Sequence, residues 1–336
     1  MKIRFLFALV VLGFFPGREG CLLQAADKLE LRSGDRIVLL GNTLIERAQI
    51  YGYLEAILVS GNPGLDLTFR NLGWSGDNVF GHSRAVFDAA PKGFGKLRKQ
   101  VVDAKPTVLV IGYGSNAAYA GEAGLPAFIA GYTRLLDAVS ETGAKLALLS
   151  PVHLEKKKPP LPDPAAQNRN LAIYAAAISK IAAERKLLFI DLFSKLRAEG
   201  PGEQLTGNGI HLNKLGYLRA GQLIATSLGA GSGTVELAID AGKPSLVSAA
   251  NARVEGVERK GAGVVFKLQR SSLPSFSGEG GIQEVLRVRG LRSGKYALRV
   301  DGAEVLQADA DEWKAGVRIA GGPDFERIEK IRKLAV

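Results

Sequence analysis

Four short clusters in this sequence combine glycine with a side chain able to attack, donate or take a proton. They are Gly41-Asn42-Thr43, Asn71-Leu72-Gly73-Trp74-Ser75-Gly76-Asp77, Gly112-Tyr113-Gly114-Ser115-Asn116 and Thr206-Gly207-Asn208-Gly209-Ile210-His211-Leu212-Asn213. A hydroxyl on a sharp turn, donors that can hold an oxyanion and an imidazole that can carry a proton are the parts acyl transfer needs. Other chemistries find less support. With three histidines and one cysteine, the chain has no Cys/His zinc pattern, and its few histidines argue against a poly-His metal site. Gly112-x-Gly114 lacks the third glycine and the following acidic residue of a dinucleotide fingerprint. No cofactor is expected. His82 and His153 read as solvated or structural residues, and Lys156-Lys157-Lys158 as a solvated loop.

The clusters need a scaffold, and the hydrophobic pattern supplies one. Short apolar strands at 37–41, 65–72, 107–112, 145–152 and 187–192 alternate with helical patterns at 44–58, 96–103, 123–141, 165–185 and 215–228. That alternation predicts an α/β fold whose parallel sheet is covered by helices on both faces. Ligands of such sheets bind beyond the C-terminal strand ends, where these clusters fall. Small residues at 229–233 read as a linker. Past them the helical period gives way to strand-like segments at 234–239, 263–268, 283–288, 296–300 and 303–307. They predict a smaller β-sandwich-like C-terminal module, closed by a helix at 323–334. The expected division is a leader at 1–26, an α/β domain at 27–230 and a β-rich module at 231–336.

The leader has its own logic. Lys2 and Arg4 precede an apolar run at 5–15, then Pro16-Gly17, with small residues at Ala25-Ala26. This is the layout of a cleaved signal peptide, and the run is too short to span a bilayer, which takes about 20 residues. The expectation is an exported protein, periplasmic or secreted, without stable membrane insertion after cleavage. Cys21 lies inside that leader, so the mature chain would carry no cysteine. The 336 residues, 46% hydrophobic and 23% charged, suit a soluble globular protein of about two domains. A net charge of +11 suits an anionic partner, but no aromatic and basic residues interleave, so nucleic acid is not expected.

The four clusters resemble, in order and spacing, the blocks of the SGNH/GDSL hydrolase family over about residues 34–228. The family carries a GDS-type nucleophile block, a Gly, a Gly-x-Asn and an Asp-x-x-His; here the blocks read GNT, SGD, GSN and NGIH. The segments IVLLGNTLIERAQ, FRNLGWSGDNVFGH and GYGSNAAYAGEAG look like a variant branch common in exported planctomycete-type proteins. The resemblance implies a flavodoxin-like SGNH-hydrolase fold and an acyl- or acetyl-ester hydrolase acting on a small ester or a glycan ester. It implies Thr43 as nucleophile, His211 as base and then acid, and an oxyanion hole from Gly76 N–H, Thr43 N–H and the Asn116 side chain. Trp74 is a candidate for stacking on a sugar, with a buried core role as the alternative. The departures matter. Thr43 and Asn42 replace the family's Ser and the Asp before it, and Asn208 replaces the triad Asp. Asn208 can orient His211 but cannot stabilise an imidazolium by charge, and it can favour the wrong tautomer. Three alternatives stand beside catalysis: Thr43 as a helix N-cap, a non-catalytic SGNH-fold binder of glycan or protein and, more weakly, a nucleotide-binding protein.

Overall fold

The computed structural model describes residues 29–200, 202–231, 234–271, 276 and 284–336. The leader reading and Cys21 lie outside these residues. The α/β part runs β1 (Arg36–Gly41), α1 (Thr43–Ala48), α2 (Tyr53–Gly61), β2 (Thr68–Gly73), α3 (Ala90–Ala104), β3 (Val108–Gly112), α4 (Gly121–Val139), β4 (Lys145–Leu149), α5 (Ala165–Glu184), β5 (Leu188–Ile190), α6 (Leu192–Lys195) and α7 (Lys214–Ser227). The five strands form one parallel sheet in the order β2-β1-β3-β4-β5, the flavodoxin-like order with its switch point between β1 and β3.

Strand periodicity explains why both faces are covered. Successive side chains point to opposite sides, and past Arg36 and Lys145 at their starts the central strands are apolar throughout. Ile37, Leu39, Val108, Val110, Ala147 and Leu149 therefore enter the core beneath α1, α2 and α7. Val38, Leu40, Leu109, Ile111 and Leu148 enter the opposite core beneath α3, α4 and α5. Neither face meets solvent, which the sequence expresses as unbroken apolar runs rather than alternation.

The structure corrects two local expectations in this part. The single helix at 44–58 is two helices, because Gly52 sits at φ +61°, in the left-handed region that interrupts a right-handed helix. The helix read as starting at residue 96 begins at Ala90, with Pro91 in its first turn, where a missing N–H costs nothing.

The C-terminal region comprises β6 (Glu236–Asp240), β7 (Ser245–Ala250), β8 (Ala252–Lys260), β9 (Gly263–Arg270), β10 (Glu284–Arg289), β11 (Lys295–Val300), β12 (Ala303–Asp309), α8 (Ala310–Ala315), β13 (Val317–Ile319) and α9 (Pro323–Leu334). Its strands make a mixed four-stranded sheet, β13-β10-β6-β7, and two hairpins, β8–β9 and β11–β12. They share a separate core that includes Leu237, Ile239, Leu286, Val288 and Trp313. The closing helix spans both parts. Phe325 packs in the β core, while Ile328 lies in the α/β core and Arg332 Nη1 donates to Tyr51 O at 2.7 Å. The terminal helix thus pins the β region to α2.

Candidate active site

The strand order brings three of the four clusters together before any side chain is considered. β1 lies between β2 and β3, and Gly41 stands opposite both Gly73 and Gly112. The three chains therefore leave the sheet in one row. Glycine at 73 permits this closeness: a Cβ there would lie 2.1 Å from Glu46 N in α1.

Side-chain bonds then join the clusters. Buried Asn42 caps α1, its Oδ1 accepting from Leu44 N at 3.2 Å. The cap is Asn42, so Thr43 is the first helical residue and its hydroxyl is free for other work. Thr43 Oγ1 accepts from Gly76 N at 3.2 Å, and the left-handed backbone of Gly76, φ +73°, suits glycine. Asn116 makes no capping bond to the short turn Ala117–Ala120 that it precedes. Instead its Nδ2 donates to Asp77 O at 3.1 Å.

Beneath this loop lies a buried ion pair. Asp77 Oδ2 accepts from Arg84 Nε at 2.7 Å and from Tyr113 Oη at 2.8 Å. Arg84 also donates to Gln100 Oε1 at 2.5 Å and to Leu72 O at 2.6 Å. Burial first, and then the Asp77 charge, push the Tyr113 phenol well above its ordinary range, so it stays a donor. Asp77 is thus the anchor of the Gly76 loop. Trp74 is 39% exposed, with Arg84 Cζ 5.7 Å from its ring centroid, and so is not a core residue. Tyr119 and Ile210, beside the third and fourth clusters, are exposed as well.

The fourth cluster presents His211 from a narrow loop between Thr206 and Leu212, which pair as an antiparallel bridge. Asn208 Oδ1 accepts from His211 N at 2.8 Å and Ile210 N at 3.2 Å. These two donors fix which way the amide points, leaving Nδ2 to face His211 Nδ1 at 3.1 Å. An amide NH₂ only donates, so Nδ1 accepts and the neutral ring carries its proton on Nε2. That is the reverse of the tautomer an aspartate would impose. Burial, followed by the Arg47 charge, lowers the His211 pKa against an opposing pull from Glu46. The imidazole is therefore near α1, the helix headed by Thr43. No hydrogen bond joins Thr43 Oγ1 to His211 among the described residues. Glu46 itself accepts from Ser75 Oγ at 2.9 Å.

The loop is held from behind by residues that sequence reasoning missed. Glu155 Oε1 accepts from Leu205 N at 2.7 Å, and Oε2 from Thr206 N at 2.9 Å and Thr206 Oγ1 at 2.5 Å. Lys157 Nζ donates to Glu155, Gln204 Oε1 and Thr206 O, and its side chain is only 9% exposed. The expectation of a solvated lysine run therefore fails at its middle member, because Lys157 turns inward to pair with Glu155. Burial would raise the Glu155 pKa, but the bonds from Thr206, Leu205 and Lys157 prevail and hold it low. Glu155→Ala should cost about 2–3 kcal/mol, since hydrogen bonds to a charged group contribute more than neutral ones. Hydrogen exchange at Leu205 and Thr206 amides should accelerate in step, and unchanged exchange there would show that the loop holds itself. Arg84 and Arg47 were missed too; a lone arginine among polar residues gives no sequence sign of its spatial partner. His82 is structural, stacked on Phe80 and bonded to Asn78.

Comparisons with known proteins agree with this fold. The model of the GDSL-like Lipase/Acylhydrolase family matches residues 46–219, just over half of the chain, and the chain belongs to that family. The matched span begins after Thr43. No curated protein matches the chain at a significant level. Among solved structures, a gut microbial diltiazem-metabolizing enzyme is similar at 18% identity and TM-score 0.72, over 93% of this chain and 78% of its own. An acetylxylan esterase from Geobacillus stearothermophilus is 18% identical over 60% of this chain and 96% of its own, TM-score 0.47. A GDSL-like lipase from Bacteroides thetaiotaomicron is 19% identical over 57% and 86%, TM-score 0.43. The first of these extends the likeness in fold to the C-terminal region.

Proposed function

We propose that this chain is an exported ester hydrolase of the acyl or acetyl class, acting on carbohydrate esters, with Thr43 as nucleophile and His211 as proton carrier. The observation that carries the reading is the Thr43 Oγ1 to Gly76 N hydrogen bond of 3.2 Å. It sets a hydroxyl on a turn beside a backbone donor, where an oxyanion would form. Thr43 Oγ1 attacks the ester carbonyl carbon and its proton passes to His211. The oxyanion is held by Gly76 N–H, by the Asn116 amide hydrogen that Asp77 O does not use, and by Thr43 N–H, which has no intrahelical partner in a first turn. Collapse expels the alkoxide, which takes the proton from His211, and water repeats the sequence on the acyl-enzyme. The sequence of residues 1–26 supports export, and exposed Trp74 supports a sugar-bearing leaving group.

Thr43→Ala should reduce hydrolysis of p-nitrophenyl acetate and acetylated xylo-oligosaccharides to background, while leaving the melting temperature within a few degrees. A turnover unchanged by this substitution would overturn the assignment.

One observation favours a second reading, a non-catalytic binder of glycan in the same cleft. With Asn208 donating to Nδ1, Nε2 holds a proton and cannot accept one from Thr43 until the tautomer inverts. Binding of an acetylated oligosaccharide without turnover, in the wild type and in Asn208→Asp alike, would establish it in place of the hydrolase.

A further inference from the structure

The imidazolium that His211 becomes on taking a proton has no acceptor behind it. Asn208 turns its NH₂ toward Nδ1, so once both ring nitrogens carry protons, a donor faces a donor. Asp77 is committed to Arg84 and Tyr113, and Glu155 holds the histidine loop from behind. Of the carboxylates described around the cleft, that leaves Glu46.

Two sets of contacts place this side chain. Glu46 follows Thr43 by three residues in α1, so the two share a helix face. Its Oε2 accepts from Ser75 Oγ at 2.9 Å, one residue before Gly76, whose N–H meets Thr43 Oγ1. The carboxylate therefore bridges the nucleophile's helix and the oxyanion loop. The histidine loop docks on the same helix. Leu212 shares a core with Ile45, Asn213 caps α7 through Gly216 N at 2.9 Å, and Tyr217 Oη donates to Leu44 O at 2.9 Å. Thr43, Glu46 and the loop that carries His211 are thus gathered at one short helix.

We propose that Glu46 is a positioning residue for His211: from the nucleophile's own helix it supplies the negative charge that the amide of Asn208 cannot. The inference rests on the hydrolase reading and deepens it, because it names what balances the ring once Thr43 has given up its proton. Among the described residues, the charges that act on His211 are Arg47 and Glu46, both from α1, and they oppose one another. Tyr217, from α7, adds none: burial, against the pull of Arg47, holds its phenol well above the ordinary range. Glu46 thus offsets the cation beside it, and the protonated ring stays within reach despite partial burial.

The test is NMR titration of the three histidine rings in the full chain, wild type against Glu46→Gln, with steady-state hydrolysis of p-nitrophenyl acetate in parallel. Glu46→Gln keeps an oxygen for Ser75 and removes the charge alone, so a merely structural role would move neither readout. The His211 pKa should fall by about half a unit or more, while those of His82 and His153 hold. Turnover, kcat, should fall roughly threefold or more, the rate equivalent of that shift, with KM unchanged. In an Asn208→Asp background the same substitution should cost less, because a carboxylate then faces the ring directly. An unchanged or raised His211 pKa, an unchanged kcat, or an equal loss in both backgrounds would each overturn the proposal. Should Glu46→Gln fail to fold by circular dichroism, Glu46→Ala, a stronger helix former, is read in the same way. A wild type that hydrolyses no ester counts against the hydrolase reading alone, and the His211 titration still decides whether Glu46 partners the ring.

Discussion

Asn208→Asp should raise kcat/KM for ester hydrolysis, by on the order of 10²–10⁴ where the tautomer limits the wild type, mirroring the loss that the reverse change causes in serine proteases. The reason is local. Asn208 Oδ1 already accepts from the His211 and Ile210 amides, and an aspartate would keep those bonds with one oxygen. Its other oxygen would replace the donating Nδ2 that now stands 3.1 Å from Nδ1. The ring proton would move to Nδ1, leaving Nε2 free to accept from Thr43, and the carboxylate would stabilise the imidazolium formed during attack. The pH profile should move with it. In the wild type, burial and Arg47 lower the His211 pKa, so the neutral base dominates above the ordinary value of about 6.5 and activity should fall only below it. A carboxylate favours the protonated ring, so the acidic limb should shift to higher pH in Asn208→Asp. Nitrogen chemical shifts of His211 should report an Nε2–H tautomer in the wild type and Nδ1–H in the variant. An Nδ1–H ring in the wild type would remove this explanation.

Arg84→Met should destabilise the protein by about 3–5 kcal/mol, the usual cost of stripping one partner from a buried ion pair. Arg84 is 2% exposed and Asp77 0%, so the substitution leaves a carboxylate in the interior with only the Tyr113 hydroxyl as donor. Leu72 O and Gln100 lose their partner as well. The damage should reach the cleft, since Asn116 grips the Asp77 carbonyl and Gly76 precedes it. Urea unfolding measures the first effect, and hydrolysis by the remaining folded protein the second. The double variant Asp77→Asn/Arg84→Met should lose less than the sum of the single losses, because it leaves no buried charge. A loss below about 1 kcal/mol in Arg84→Met would place the pair in the range of solvated surface bridges.

Much of this protein was legible from residue order alone, because the information is local. Unbroken apolar runs separated by helical periods determine a parallel sheet covered on both sides, and the polar clusters at strand ends mark its cleft. Glycine at 41, 73 and 112 is equally readable as a chain that must pass close to something. The closing helix at 323–334 follows from its own period and its proline start. What only the tertiary structure decided depends on partners distant in sequence. The cap of α1 is Asn42 rather than Thr43, settled by which side chain reaches Leu44 N and which meets Gly76, thirty-three residues on. Asp77 serves Arg84 and Tyr113 rather than His211, and Lys157 alone of the run at 156–158 turns inward, because it pairs with Glu155, which grips the histidine loop about fifty residues later. The sequence shows that Asn208 replaces an aspartate. Two backbone amides that meet its oxygen only in the folded loop decide that its NH₂ faces the imidazole, because a hydrogen bond is settled by direction as well as by residue type.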